Sequence, residues 1–477
     1  MIFFVIEALW FVFSAAYPMA FDEDFHLGVI RIYAHGWSPF LTEHPAGADQ
    51  FGAVVRDPSF LFHYLMSFPY RLLQVFTHSE AAQVIGLRLL NVAMFTAGLV
   101  LFRKVMLRAG TSKAFAHVML ALFILLPIVP QLAAHINYDN LLVLLLPLWC
   151  LAVFGLLDGL KARRVNVPAL LSFIALSLGM SVVKYATLPF LVAAALILMP
   201  MTYRYFRGHG KEFWPSIKRG FTAMALPSKV ALVALCAVLS VLFVQRYGVN
   251  MVQYKTPIPD CGQVLRVDQC MSYGPWGRDY LFAQSKSDDF VANPFTYIGV
   301  WLKGMWFRTF FAVNGAHSDF TTYQPLPIPA NTAIVIGIAG LLVLLFTARR
   351  VFRDRPYLVF FLLVIVVYAG VLWLQEYGMY KDTGQPVAIN GRYLLPILPL
   401  AAVILGRAMS LFITQRRQAV KAGLACAALV LFLHGGGVFT FILRSDANWY
   451  WPNKAVNQVN HGAQKVLAPI TIEGSKY

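Results

Sequence analysis

The sequence predicts an all-α protein: a polytopic transmembrane helix bundle of about eleven spans, with amphipathic helices in its outer loops. Three observations carry this expectation. Hydrophobic residues make up 59% of the chain and charged residues only 13%, about half the charge of a soluble globular domain. Apolar stretches of roughly the length that crosses a bilayer recur along it. Basic residues gather in alternate connections.

The apolar stretches lie near 2–20, 82–102, 113–130, 140–158, 168–184, 186–201, 228–246, 330–348, 356–374, 393–412 and 420–442. The first is read as a span and not a signal peptide. It lacks a basic leading segment, contains Glu7, and ends in Tyr17-Pro18-Met19, which is no small-residue cleavage site. The sixth begins at Thr187-Leu188-Pro189 and is short, so two neighbouring spans here could form one broken helix. No internal repeat and no low-complexity tract is visible.

Charge sets the orientation. With the N-terminus inside, the cytoplasmic connections hold twenty basic residues against three acidic ones, Asp158, Glu212 and Asp354. The rest of the chain is balanced, so the whole net charge of +17 falls on one side. It reads as positive-inside topology. No soluble domain interleaves it with exposed aromatics, which excludes a nucleic-acid footprint.

Cys150, Cys236 and Cys426 fall in apolar spans as small hydrophobes. Cys261 and Cys270 fall together in an outer loop, CGQVLRVDQC, where an oxidising compartment favours a disulfide. No second CxxC or His cluster accompanies them, which argues against a metal.

The polar mass is outside, in segments 21–81, 247–329 and 375–392 and a tail from 443. FHLGVIRIYAHGW sets Phe25, Val29, Ile32 and Tyr33 at helical spacing with Arg31 on another face. SFLFHYLMSFPYRLLQVF and the stretch from Phe295 to Phe311 read the same way. Such helices lie along an interface, or simply pack over the bundle.

FDEDFHLG (21–28) follows the first span and sets Asp22, Glu23 and Asp24 beside the membrane. Clustered carboxylates oppose joint ionisation, so one can serve as a general base near neutral pH. His26 adds an acid, base or ligand. The same string also reads as a solvated cap. Tyr138 and Asp139 in HINYDN begin the fourth span, where the carboxylate faces a cavity, caps the helix, or both. Lys184 and Tyr185 in VVKYATLP break the positive-inside pattern. The lysine either snorkels or binds phosphate as a point charge. Arg392 and Tyr393 lie in INGRYLLP (389–396), and Arg392 offers a planar fork for phosphate. Two cations and several carboxylates on one membrane face point to a phosphorylated lipid and a general base.

In this order and sidedness the chain resembles the GT-C superfamily of polytopic glycosyltransferases, which includes protein O-mannosyltransferases and lipid A aminoarabinose transferase. It looks closest to a poorly characterised bacterial branch. The resemblance rests on Asp22-Glu23 with His26, Tyr138-Asp139, Lys184-Tyr185 and Gly391-Arg392-Tyr393-Leu394-Leu395-Pro396. It implies a transmembrane domain over 1–442, a short extracytoplasmic tail over 443–477, and residence in a bacterial inner membrane with the site facing outward. An endoplasmic-reticulum lumen satisfies the same topology. It also implies an enzyme that takes a sugar from a polyprenyl-phosphate donor. An acidic residue of the first outer loop serves there as base or metal contact, and Asp22 or Glu23 takes that role. The mannosyltransferase-like pattern acid-acid-x-His-x-Gly aligns Glu23 and Asp24 instead. A divalent metal is the one cofactor the resemblance allows. A large soluble C-terminal domain is lacking, so transfer of a single sugar to a glycan, lipid or protein acceptor is expected. The competing expectations are a transporter or flippase of lipid-linked sugars, and a non-catalytic envelope-complex subunit. The transporter reading predicts charges deep within spans; the spans are nearly clean, with Glu7, Arg88 and Arg407 the main exceptions, and the transferase reading leaves Arg88 and Arg407 unexplained.

Overall fold

The computed structural model describes residues 1–19, 22–312, 324–325, 327–412 and 417–470. Phe21, Arg416, residues 313–323 and 326 of the 247–329 segment, and residues 471–477 of the tail lie outside the described residues.

The chain opens with α1 (Ile2–Ser14), then α2 (Glu23–Ala34) and α3 (Leu61–Phe76) of the first long segment. Next come α4 (Glu80–Arg108), α5 (Lys113–Ile124), α6 (Ile128–Ala133), α7 (Tyr138–Lys161), α8 (Val167–Val183), α9 (Leu188–Phe206), α10 (Gly210–Thr222) and α11 (Leu226–Phe243). The second long segment holds α12 (Val249–Tyr254), α13 (Cys261–Val264), α14 (Val267–Cys270), α15 (Gly274–Ser285) and α16 (Pro294–Thr309). The remainder is α17 (Pro327–Phe352), α18 (Pro356–Thr383), α19 (Leu398–Phe412), α20 (Arg417–Leu433), α21 (Phe439–Arg444) and α22 (Lys454–Leu467). Strands β1 (Phe311–Ala312) and β2 (Gln324–Pro325) form one short antiparallel pair.

The protein is thus an all-α bundle of membrane type. A helix meets each of the eleven apolar stretches. Among the described residues, six helical segments are long and apolar enough to cross a membrane: Glu80–Arg108, Tyr138–Lys161, Tyr185–Phe206, Leu226–Tyr254, Ala330–Phe352 and Pro356–Thr383. The apolar helices α1, α5, α8 and α19 are shorter. Burial ranks the spans. The apolar core of α7 is 67% buried, whereas those of Leu226–Tyr254 and Ala330–Phe352 are 11% and 17% buried. The first is central, and the other two present aliphatic side chains outward, as lipid requires.

Three stretches differ from the sequence expectation. The third is broken: α5 stops at Ile124, and the chain turns through Pro127 into α6, because proline supplies no amide to continue the ladder. The eleventh is broken at Gly435–Gly437. Gly437 has φ 63°, and a Cβ there would lie 1.8 Å from Glu7 Oε1, so glycine alone fits. The two breaks meet, with Gly437 N donating to Leu125 O at 2.8 Å and Val438 N to Glu7 Oε1 at 3.1 Å. The first span ends early. Ser14 O and Ala16 N pair with Trp451 N and Trp449 O of the tail, which binds the tail to the head of the chain.

Connections alternate between two ends of the bundle. At the basic end, Arg108 and Asp158 form an ion pair at 2.9 Å, Tyr357 donates to Asp158, and Phe154 stacks on Tyr357. At the opposite, loop-bearing end the three expected amphipathic helices are present as α2, α3 and α16. Arg71 of α3 donates to Tyr33 O and Ala34 O, closing α3 on the end of α2. Buried Arg246 follows α11 and donates to Val55 O and Tyr33 Oη, with Phe60 under its guanidinium. That cation clamps the first long segment onto the bundle.

Candidate functional site

The acidic string is sorted by one backbone torsion. Asp22 has φ 65°, a left-handed conformation that Asp tolerates better than most residues, and it turns the chain into α2. Glu23 is thereby driven inward to zero exposure, while Asp22 and Asp24 remain exposed. Glu23 is saturated with donors. Arg88 Nε reaches Oε1 at 2.8 Å and Nη2 reaches Oε2 at 2.6 Å. The amides of Ile136 and Met19 add bonds of 3.2 and 2.8 Å. Burial by itself raises a carboxyl, but Arg88 outweighs it and holds Glu23 below its ordinary range. Arg88, without a role in the sequence reading, also donates to Ala15 O and Ala16 O. It locks α4 to the junction of α1 and α2.

Two cations converge from different elements. Lys184 caps the C-terminus of α8, where its ammonium meets Asp139 Oδ1 at 2.6 Å. The rings of Tyr138 and Tyr393 lie 4.5 and 5.1 Å from that ammonium, close enough for cation–π attraction. Asp139 stands in the first turn of α7, its amide held by Asn137 Oδ1, and its Oδ2 is buried with no hydrogen-bond partner. Arg392 sits in a short 3-10 turn, Gly391–Leu394, opened by Asn390. Gly391 is pressed on α16: a Cβ there would lie 2.3 Å from Thr309 N. Arg392 Nη2 pairs with Asp22 Oδ2 at 2.6 Å.

His26 and His63 form a buried pair, Nδ1 to Nε2 at 2.8 Å, with Tyr138 edge-on to His26 at 4.6 Å. Burial, then His63, Arg392 and Lys184, hold His26 well below its ordinary range, and burial lowers His63 to about 3. Both rings are neutral at pH 7, and one donates to the other.

Asp139, Lys184 and Arg392 come together at one small cleft. Asp139, Lys184, Thr187, Arg392 and Tyr393 give it polar atoms; Leu142, Leu146, Phe190 and Pro396 give it apolar surface. Four of the sequence-selected residues therefore line it. Asp22 is one ion pair away. His26, Tyr138 and Tyr185 are not among its lining residues: Tyr138 lies against both His26 and the Lys184 ammonium, and Tyr185 donates its amide to Ser59 Oγ. Asp24 is exposed and its side chain makes no hydrogen bond among the described residues. Phe190, Thr187 and Tyr368 line the cleft without any sequence signal. Arg88 had one, a lone arginine in an apolar span.

Among the described residues no three His, Cys, Asp or Glu side chains are grouped to hold a metal ion. Asp22 and Asp139 each face a cation instead, so the site does not fit a divalent metal. Cys261 and Cys270 are joined by a disulfide, and Tyr273 just beyond it packs on Phe25 at 5.9 Å. The loop carrying the disulfide thus supports α2 from outside.

No curated protein and no solved structure matches the chain. A family model described as a predicted membrane protein, DUF2142, matches residues 61–401, which include Asp139, Lys184 and Arg392 and begin beyond Asp22 and His26. Over most of its length, then, the chain belongs to the DUF2142 family of membrane proteins.

Proposed function

We propose that the protein is an inverting glycosyltransferase that moves a single sugar from a polyprenyl-phosphate donor to an acceptor on the outer face of the membrane. The observation that carries this reading is the convergence of Lys184 and Arg392 on one cleft with apolar walls. A phosphate on a lipid tail needs both features. The cations stabilise phosphate charge, and the apolar surface accepts the first carbons of the tail.

In this mechanism the acceptor hydroxyl attacks the anomeric carbon opposite the phosphate. Asp22 takes the hydroxyl proton, the glycosidic oxygen forms its bond to carbon, and the carbon–oxygen bond to phosphate breaks with its electron pair leaving on the polyprenyl phosphate. Lys184 and Arg392 hold that leaving group. Asp22 is the base because Glu23 spends both oxygens on Arg88 and backbone amides. Donor phosphate competes with Asp22 for Arg392. Its arrival therefore frees the base.

The test is release of free polyprenyl phosphate from a panel of polyprenyl-phosphate monosaccharides by purified protein with candidate acceptors. Release lost in Asp22→Asn and reduced roughly 10²–10³-fold in Lys184→Ala and Arg392→Ala supports the reading. No release with any donor, or full release by Asp22→Asn, overturns it.

A transporter or flippase of lipid-linked sugars is the second reading. Buried Glu7 set against the paired helix breaks at Leu125 and Gly437 favours it, since broken helices around a buried carboxylate recur in transporters. Movement of intact donor between leaflets, without release of polyprenyl phosphate, distinguishes it.

A further inference from the structure

We infer that α10 and the basic chain around it form a docking surface for anionic phospholipid headgroups, at the end of the bundle opposite the cleft. This is independent of the glycosyltransferase reading. The helix α9 runs for 19 residues away from Lys184, about 28 Å, and α10 follows at its far end. Between Arg204 and Lys229 the chain holds six basic residues and one acid, Glu212.

The orientation of α10 is fixed by its packing. Phe213 and Ile217, four residues apart, lie against the buried cluster of Leu160, Val165, Val167 and Phe206. Between them Ser216 accepts from Val165 N at 2.8 Å. That face is committed to the bundle. Lys211, Trp214, Lys218 and Phe221 recur at helical spacing on the other side, and all four are exposed, Trp214 at 73%. A stripe that alternates cations with aromatics suits neither bulk water nor hydrocarbon. It suits the headgroup layer, where aromatic rings rest at the acyl boundary and lysines extend to phosphate. The one-sided positive charge selects anionic headgroups over zwitterionic ones.

Full-length protein in neutral detergent, titrated with fluorescent phosphatidylglycerol or phosphatidylcholine, tests this. Wild type should prefer phosphatidylglycerol by roughly tenfold. Lys211→Gln with Lys218→Gln should abolish the preference, while Lys454→Gln with Lys465→Gln, an equal loss of charge at exposed positions of α22, should keep it. Trp214→Ala should weaken both lipids and Trp214→Phe should restore them, with melting temperatures unchanged throughout. Equal binding of the two lipids by wild type overturns the inference, as does a preference that survives the α10 double substitution. Displacement of phosphatidylglycerol by inorganic phosphate at comparable concentration also overturns it, because the site would then be one for free phosphate.

Discussion

Arg88 and Glu23 are 65 positions apart, yet they meet in a two-bond ion pair with no solvent exposure on either side chain. The pair joins α4 to the start of α2, and so sets where Asp22 can reach. Removing one partner leaves a charge buried alone. Arg88→Ala or Glu23→Ala is expected to cost about 3–5 kcal/mol. Arg88→Met combined with Glu23→Gln should recover much of it. Thermal unfolding in one detergent checks both statements; a single substitution without effect would show the pair to be dispensable.

On the proposed transferase reading, the three neighbouring carboxylates should behave differently. Asp22→Asn is expected to lower turnover by about 10²–10⁴, the usual worth of a general base. Asp24→Asn should leave it near wild type, since Asp24 is exposed and touches neither cation. Glu23→Gln should lower the amount of folded protein more than the turnover of what folds. Reversal of the Asp22 and Asp24 results would reassign the base.

The histidine pair gives stability a pH dependence. Burial holds His63 at about 3, against an ordinary value of 6.5. Below 6.5 the unfolded chain takes up a proton that the folded one refuses, so stability rises with pH in this window. It should be complete above about pH 6.5 and fall steadily as acid is added down to about pH 3. His63→Gln should flatten the slope of unfolding midpoint against pH between those values. A slope unchanged by that substitution would place the acid sensitivity elsewhere.

The disulfide should act locally. Cys261 and Cys270 close a short loop beside Tyr273 and Phe25, worth about 2–3 kcal/mol in loop entropy. Cys261→Ser with Cys270→Ser should raise hydrogen exchange across residues 255–285 and in α2, and leave exchange in α7 unchanged. Protection unchanged from wild type in the double substitution would show that the loop is held by packing alone.

The bundle was legible because lipid imposes one rule on every span: backbone polar groups must be satisfied within the segment, so an apolar stretch of sufficient length becomes a helix. Helical spacing in 25–33, 59–76 and 295–311 marked the three loop helices for the same elementary reason. The helix breaks at Pro127 and Gly437 were less visible. Proline and glycine also occur in spans without breaking them, and what marks these two positions is that the groups freed at the breaks meet across helices, Gly437 N on Leu125 O and Val438 N on Glu7. Residue type also drew attention to Asp139, Lys184 and Arg392, since charge at a span mouth is costly unless it is used.

What the sequence by itself determined was the class of the protein, the sidedness of its charge and the short set of polar residues worth watching. The tertiary structure alone decided how those residues divide. Asp22, Glu23 and Asp24 are equivalent on paper, and a left-handed turn sends one to Arg88, one to Arg392 and one to solvent. Lys184 and Asp139, and Arg392 and Asp22, are paired across 45 and 370 positions. Periodicity and composition describe each segment's own neighbourhood, whereas an ion pair depends on which segments the packing brings to the same place.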